Sequence, residues 1–223
     1  MITNFFALFL LIGASFQNLP HAYPREGAKQ LIDNERVTVW DVTLEKGKPS
    51  PMHEHKYDLV GVDLSDATVR VVNPDGTSQT GAAKVGQVVS LKRGTTHIEE
   101  TTSATPRHAI VIDLKDAKVP PIQNKSRYPL AFPRDGARKV METDRVIVWD
   151  YTWTPDVPTP MHFHDKDVVV VFLEDGDLKS TTPDGKAVVT AYTSGTIRFN
   201  ARNRTHSETL VRGKQRAIIT ELK

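Results

Sequence analysis

Short runs of alternating apolar and polar side chains, rich in β-branched residues, recur along the chain and predict strands rather than helices. Residues 37–43 (VTVWDVT) show the pattern first, and residues 67–72, 85–91 and 109–114 continue it. Residues 168–173, 187–192, 196–199 and 217–222 do the same in the second half. Turn formers separate the runs, most clearly Asn73-Pro74-Asp75-Gly76 and Thr182-Pro183-Asp184-Gly185. Each places Pro at the second and Gly at the fourth position of a type I turn. Helix-like stretches are short. Many short strands at regular spacing predict an all-β sandwich or barrel.

The pattern is duplicated. Tyr23-Pro24-Arg25-Glu26-Gly27-Ala28 returns as Phe132-Pro133-Arg134-Asp135-Gly136-Ala137, and Arg36-Val37-x-Val39-Trp40-Asp41 as Arg145-Val146-x-Val148-Trp149-Asp150. Pro51-Met52-His53-x-His55 returns as Pro160-Met161-His162-x-His164, and Thr96-His97-x-Glu99 as Thr205-His206-x-Glu208. All these pairs, and the two Pro-Asp-Gly turns, lie 109 positions apart. A single register over so many blocks marks a tandem duplication. The expected units are residues 23–115 and 132–223, two small β-barrels joined by a linker over residues 116–131 that contains paired prolines.

Residues 1–22 stand apart, since they contain no Lys, Arg, Asp or Glu and include the apolar run FFALFLLI at residues 5–12. Extended to Phe16, the apolar stretch is twelve residues long. A membrane-spanning helix needs about 20. The segment reads as a signal peptide with Gly13-Ala14-Ser15 as its cleavage region, which implies a periplasmic or secreted protein. An uncleaved apolar arm or a membrane tether, with a cytoplasmic location among the outcomes, is the alternative. With 29 Lys and Arg against 27 Asp and Glu, the net charge of +2 gives no nucleic-acid surface, and the absence of cysteine excludes disulfides and thiolate chemistry. Any metal must then sit on histidines, carboxylates or backbone oxygens.

Six of the eight histidines occupy matched places: His53, His55 and His97 in the first half, and His162, His164 and His206 in the second. On a strand, residues i and i+2 share a face, so each H-x-H pair aims both imidazoles one way. The third histidine follows 42 positions later in both halves and can arrive from a neighbouring strand. Three neutral imidazoles converging inside a barrel would form a facial ligand set for a divalent cation with positions open to substrate. The bland alternative is a set of surface or hydrogen-bonded histidines.

These motifs resemble those of the cupin superfamily, and their duplication resembles a bicupin. The first family motif, H-x-H after a proline, stands at residues 51–55 and 160–164; the second, G-x5-P-x-G-x2-H, stands at 86–97 and 195–206. The resemblance implies two tandem double-stranded β-helix barrels. The second motif departs from the family at Lys92 and Ala201, where proline is expected, and at Asn203, where glycine is expected. The usual glutamate ligand is also missing. Asp58 and Asp167 lie nearby, but strand alternation turns them away from the histidines, as solvated or turn-bonding carboxylates. That pattern is closer to three-His cupins than to the three-His-plus-Glu oxalate-degrading bicupins. It favours Fe(II), with Mn, Ni or Zn as alternatives, and an oxygenase or related lyase acting on a small organic substrate. A non-catalytic metal or ligand binder and a structural dimerising protein remain open, and a homodimer is a family expectation.

Glu99 and Glu208 share the strand parity of His97 and His206, and are the candidates to replace the absent ligand or to act as general base. Lys166 has inward parity and is expected to pair with Glu208, which would make the first half the better metal site. Trp40 and Trp149 read as core aromatics. The Pro24-Arg25 and Pro133-Arg134 arms are expected to pack one half on the other.

Overall fold

The computed structural model describes residues 19–223, so the expected cleavage region at residues 13–15 lies outside the described residues. The first half contains β1 (Ala28–Asp33), β2 (Val37–Leu44), β3 (His53–Glu54), β4 (Asp58–Asp63), β5 (Ala67–Val72), β6 (Ser78–Ala83), β7 (Val88–Leu91), β8 (Thr96–Thr101) and β9 (Arg107–Leu114). The second half repeats the order with β10 (Ala137–Glu142), β11 (Val146–Thr152), β12 (His162–His164), β13 (Asp167–Phe172) and β14 (Gly176–Thr181). It ends with β15 (Ala187–Tyr192), β16 (Ile197–Asn200), β17 (Arg204–Gly213) and β18 (Arg216–Leu222). The described residues contain no helix, and therefore none long and apolar enough to cross a membrane.

Each half pairs a five-stranded sheet with a four-stranded one. The orders are β1-β2-β9-β4-β7 with β3-β8-β5-β6, and β10-β11-β18-β13-β16 with β12-β17-β14-β15. All ladders between these strands are antiparallel, and both halves carry a bulge at matched places, Gln30/Ile32 and Lys139/Met141. The duplication thus extends to irregularities that twist the edge strand.

The central strands of the five-stranded sheets are buried on both faces, and strand parity sorts their residues. Val37, Val39, Val60, Val62, Ile110 and Ile112 share one core with Val146, Val148, Val169, Val171 and Ile218, so the two halves pack sheet on sheet. The opposite parity turns inward: Trp40, Val42, Leu59 and Val111 line the first barrel, and Trp149, Val168, Val170 and Ile219 line the second. Burial on two faces explains why residues 168–172 read as the unbroken run VVVVF instead of an alternation.

The arms differ from expectation. Arg25 and Arg134 fold into their own barrels, onto Glu99 and Glu208, instead of bridging the halves. Two matched arginines bridge the halves: Arg36 Nη1 donates to Asp167 at 2.8 Å with both side chains buried, and Arg145 Nη2 donates to the Lys115 carbonyl at 2.7 Å. Asp167 also accepts from the Arg202 backbone N–H at 2.8 Å, so it is turn-bonding as its parity suggests, but buried and not solvated.

The repeat also reaches further upstream than residue 23. Glu54 N–H donates to the Pro20 carbonyl and Ala22 N–H to the Glu54 carbonyl, both at 3.0 Å. Phe163 makes the matching pair with Pro129 and Ala131, both at 2.8 Å. One residue is lost late in the second unit. Val42 faces Ala109, whereas Tyr151, 109 positions after Val42, faces Ala217, only 108 after Ala109. Gln215 therefore occupies the place of Arg107, and Glu221 that of Asp113.

Candidate metal centres

The H-x-H segments are short strands held at one edge of each four-stranded sheet. His53 lies directly opposite His97 in the β3–β8 ladder, and His162 opposite His206 in the β12–β17 ladder. Opposed residues of an antiparallel pair project to the same face, so the ladder delivers the third imidazole to the first two. All six histidines are buried, and the candidate ligand atoms within each triad lie within 4.8 Å of one another.

Hydrogen bonds set the ring orientation. His53 Nδ1 donates to the Pro51 carbonyl at 2.9 Å, and His162 Nδ1 to the Pro160 carbonyl at 2.7 Å. A carbonyl only accepts, so in both rings Nε2 is the unprotonated nitrogen; in His162 it accepts from Arg134 Nη1 at 3.3 Å. His53 Nε2 is buried without a partner. The other two nitrogens close the triad: His55 and His97 Nε2 lie 3.2 Å apart, and His164 and His206 Nε2 3.1 Å apart. Two imidazole nitrogens bound to one ion at about 2.0–2.1 Å, and about 90–110° apart, would be separated by about 2.8–3.4 Å. The donor set fits a divalent ion. Burial pushes His53 and His162 down to about 4 and His55 down to about 3, and lowers His97, His164 and His206 as well. Neutral imidazoles are the state a metal requires.

Glu99 and Glu208 also point inward, but the triads closed by these distances contain only histidine. Glu99 accepts from Arg25 at 2.8 Å through Oε2 and from Arg107 at 3.0 Å through Oε1. Arg107 in turn donates to Asp63 at 2.8 Å. Burial would raise the Glu99 carboxyl, but Arg107 and Arg25 outweigh it and hold the group at about 2. Glu208 is held more loosely. Its Oε2 accepts from Trp153 Nε1 at 3.3 Å and from Arg134 at 3.5 Å, and with Gln215 and Phe172 in place of Arg107 and Asp63 it has no second guanidinium. Lys166 does not reach Glu208; its ammonium donates to the adjacent Asp165 at 2.8 Å. The reason given in the sequence for preferring the first triad therefore falls.

Trp40 and Trp149 are buried wall residues, as expected. Their indole N–H groups donate to Asp113 at 2.9 Å and Glu221 at 2.8 Å, and their rings stack on Tyr23 and Phe132. The buried acceptors, Asp113 and Glu221, were not singled out in the sequence. Period-two parity with Val111 and Ile219 was the available signal.

A cavity of about 240 Å³ opens beside the second triad, and one of about 360 Å³ beside the first. No family model matches the chain, and no curated protein does. Solved structures do. The Cupin 2 conserved barrel domain protein from Leptotrichia buccalis is 11% identical over 88% of both chains, with a TM-score of 0.56. The Bacillus subtilis oxalate decarboxylase, described with Mn(II) centres, is 12% identical over 85% of this chain and 69% of its own, with a TM-score of 0.58. The fold is that of a bicupin, two cupin barrels in tandem.

Proposed function

We propose that this bicupin holds a divalent metal on each histidine triad and that the second barrel acts on a small organic molecule, as a three-His Fe(II)-type oxygenase or related lyase. The observation that supports this most directly is the convergence of three buried, neutral imidazoles per half, with one lone pair left unpartnered at His53. A bound divalent ion supplies Lewis-acid chemistry, and redox chemistry where the ion is iron. His53, His55 and His97 would hold one ion, and His162, His164 and His206 the other. Manganese, nickel and zinc suit imidazole as well.

The two halves differ in what surrounds the triad. Both oxygens of Glu99 are committed to arginines, so it serves as a fixed countercharge. Glu208 faces its cavity with Oε1 free of protein donors among the described residues, and is the group suited to take or return a proton there. The apolar N-terminal segment supports export of the protein, which intact mass of native material would test.

Protein loaded anaerobically with Fe(II) and desalted is expected to retain two ions per chain. His55→Ala or His164→Ala should leave one, and wild-type protein that retains none would sink the metal reading. In an oxygen-uptake screen, Glu208→Gln should lower turnover with both ions kept. Glu99→Gln should instead cost about 3 kcal/mol of stability by leaving the buried Arg25 guanidinium without its carboxylate, while Arg107 keeps Asp63. Loss of one ion from Glu99→Gln would make Glu99 a ligand.

A further inference from the structure

The two cavities have opposite electrostatic character. Arg134, Arg198, Arg204 and Glu208 are the charged side chains lining the second, a surplus of two positive charges before any metal is added. The first is lined by Arg107, Asp63 and Glu99, whose charges are already consumed by one another. The difference arises at matched positions of the duplicated strands: Arg204 stands where the first half has Thr95, and Arg198 where it has Val89.

Backbone register turns both arginines toward the second cavity, with Arg204 half-buried beside the triad and Arg198 exposed at the mouth. Arg204 lies opposite His164 in the β12–β17 ladder and so shares its face. Arg198 lies opposite Val170, a barrel-lining residue, while its neighbours Ile197 and Phe199 pack toward the core between the halves. Arg204 Nε donates to the Ala201 carbonyl at 2.7 Å, but its terminal nitrogens make no hydrogen bond or ion pair to the described residues. Arg198, exposed to solvent, makes none with any of its nitrogens to the described residues. Phe132, Val168, Phe172, Leu178 and Ile219 form the apolar remainder of the wall. Unpartnered guanidinium groups beside an apolar wall suit a planar anion with a hydrocarbon body, because a guanidinium fork matches a carboxylate in two parallel hydrogen bonds.

We infer that the second barrel, and not the first, binds a small organic carboxylate, with Arg204 and Arg198 gripping the carboxylate and the apolar wall covering its carbon skeleton. This deepens the reading of the second barrel as the small-molecule site and rests on it. Arg204 and Arg198 are specificity-determining residues in that role.

Trp153 lines the second cavity where the first half has Leu44, so its fluorescence reports on this barrel alone. Benzoate and succinate, their amides and inorganic phosphate would be titrated into metal-free and Fe(II)-loaded full-length protein, with Trp153→Phe identifying the signal. The carboxylates are expected to give a saturable change in both forms of the protein, and the amides none at equal concentration. Arg204→Gln and Arg198→Gln, shown folded by circular dichroism, should each weaken carboxylate binding about tenfold or more. Equal binding of amide and carboxylate, phosphate binding as tight as benzoate, unchanged affinity in both variants, or no saturable response would each overturn the inference. Failure of the metal reading would show separately, as no retained ion, while the metal-free titration still decides the anion question.

Discussion

Asp113 illustrates how one buried side chain stores a pH dependence. It sits at the barrel wall, accepts the Trp40 indole N–H and has no cation in contact to hold its charge, so burial raises its carboxyl from 3.8 to about 6, with the indole hydrogen bond only partly opposing the shift. The unfolded chain releases this proton near 3.8, so the folded state carries the extra proton between that value and about 6. Stability from this group is fully present below the lower value and is lost as pH rises through the upper one. Asp113→Asn keeps an acceptor for Trp40 and removes the charge. It should stabilise the protein at pH 7.5 by on the order of 2 kcal/mol, with the gain shrinking toward zero below the unfolded pKa. Denaturant unfolding of both proteins across that range checks it; a gain independent of pH would contradict the account.

At the scale of the element, the arm from Tyr23 to Gly27 puts a guanidinium next to the first triad. Gly27 ends the arm with φ of +75°, and its carbonyl accepts from Thr43 N–H at 2.7 Å. A Cβ there would stand 2.4 Å from the Thr43 carbonyl oxygen, whereas at the matched Gly136 the nearest atom is 3.4 Å away on the Tyr151 ring. Both substitutions to Ala carry the positive-φ penalty, but only Gly27→Ala adds a backbone clash. Gly27→Ala should therefore destabilise by about 2–3 kcal/mol and Gly136→Ala by about 1 kcal/mol, measured by thermal unfolding. An equal effect would mean that the arm relaxes freely. The elements were legible from sequence where β-branched or aromatic residues recur along them. β5 and β15 coincide with the alternating runs over residues 67–72 and 187–192. β6 (SQTGAA) was not, because it lacks the β-branched and aromatic residues that mark the equally exposed β15. The triads were legible because ligands need fixed residue types at fixed parity. The arginines on Glu99 were not, because Arg107 reaches it from β9 and has no arginine counterpart in the second unit, where Gln215 takes its place, and Lys166 is drawn to Asp165, a neighbour that parity alone does not weigh.

The whole molecule is two barrels that share one apolar core, so neither half is expected to be stable alone. Separating them would expose Val60, Val62, Ile110 and Ile112 on one side and Val146, Val148, Val169 and Val171 on the other, all of them fully buried in the intact chain. Each such valine is worth about 1.5 kcal/mol or more in transfer free energy. Unfolding should consequently be a single transition, even though the chain is long enough for two independent domains. At the edge of this core Arg36 meets Asp167, and Arg36 Nη2 also donates to the Lys223 carbonyl at 3.0 Å. A buried ion pair contributes little net stability against an apolar substitute, but removing one partner strands the other. Asp167→Leu should thus cost about 3–5 kcal/mol, and Arg36→Met combined with Asp167→Leu should recover most of that loss. The tryptophans divide between the halves, Trp40 in the first and Trp149 and Trp153 in the second, so variants retaining tryptophan in only one half follow each barrel separately. Coincident midpoints in both halves, shifting together in Asp167→Leu, are the expected result. A second barrel that stays folded after the first has melted would show that the shared core does not couple them.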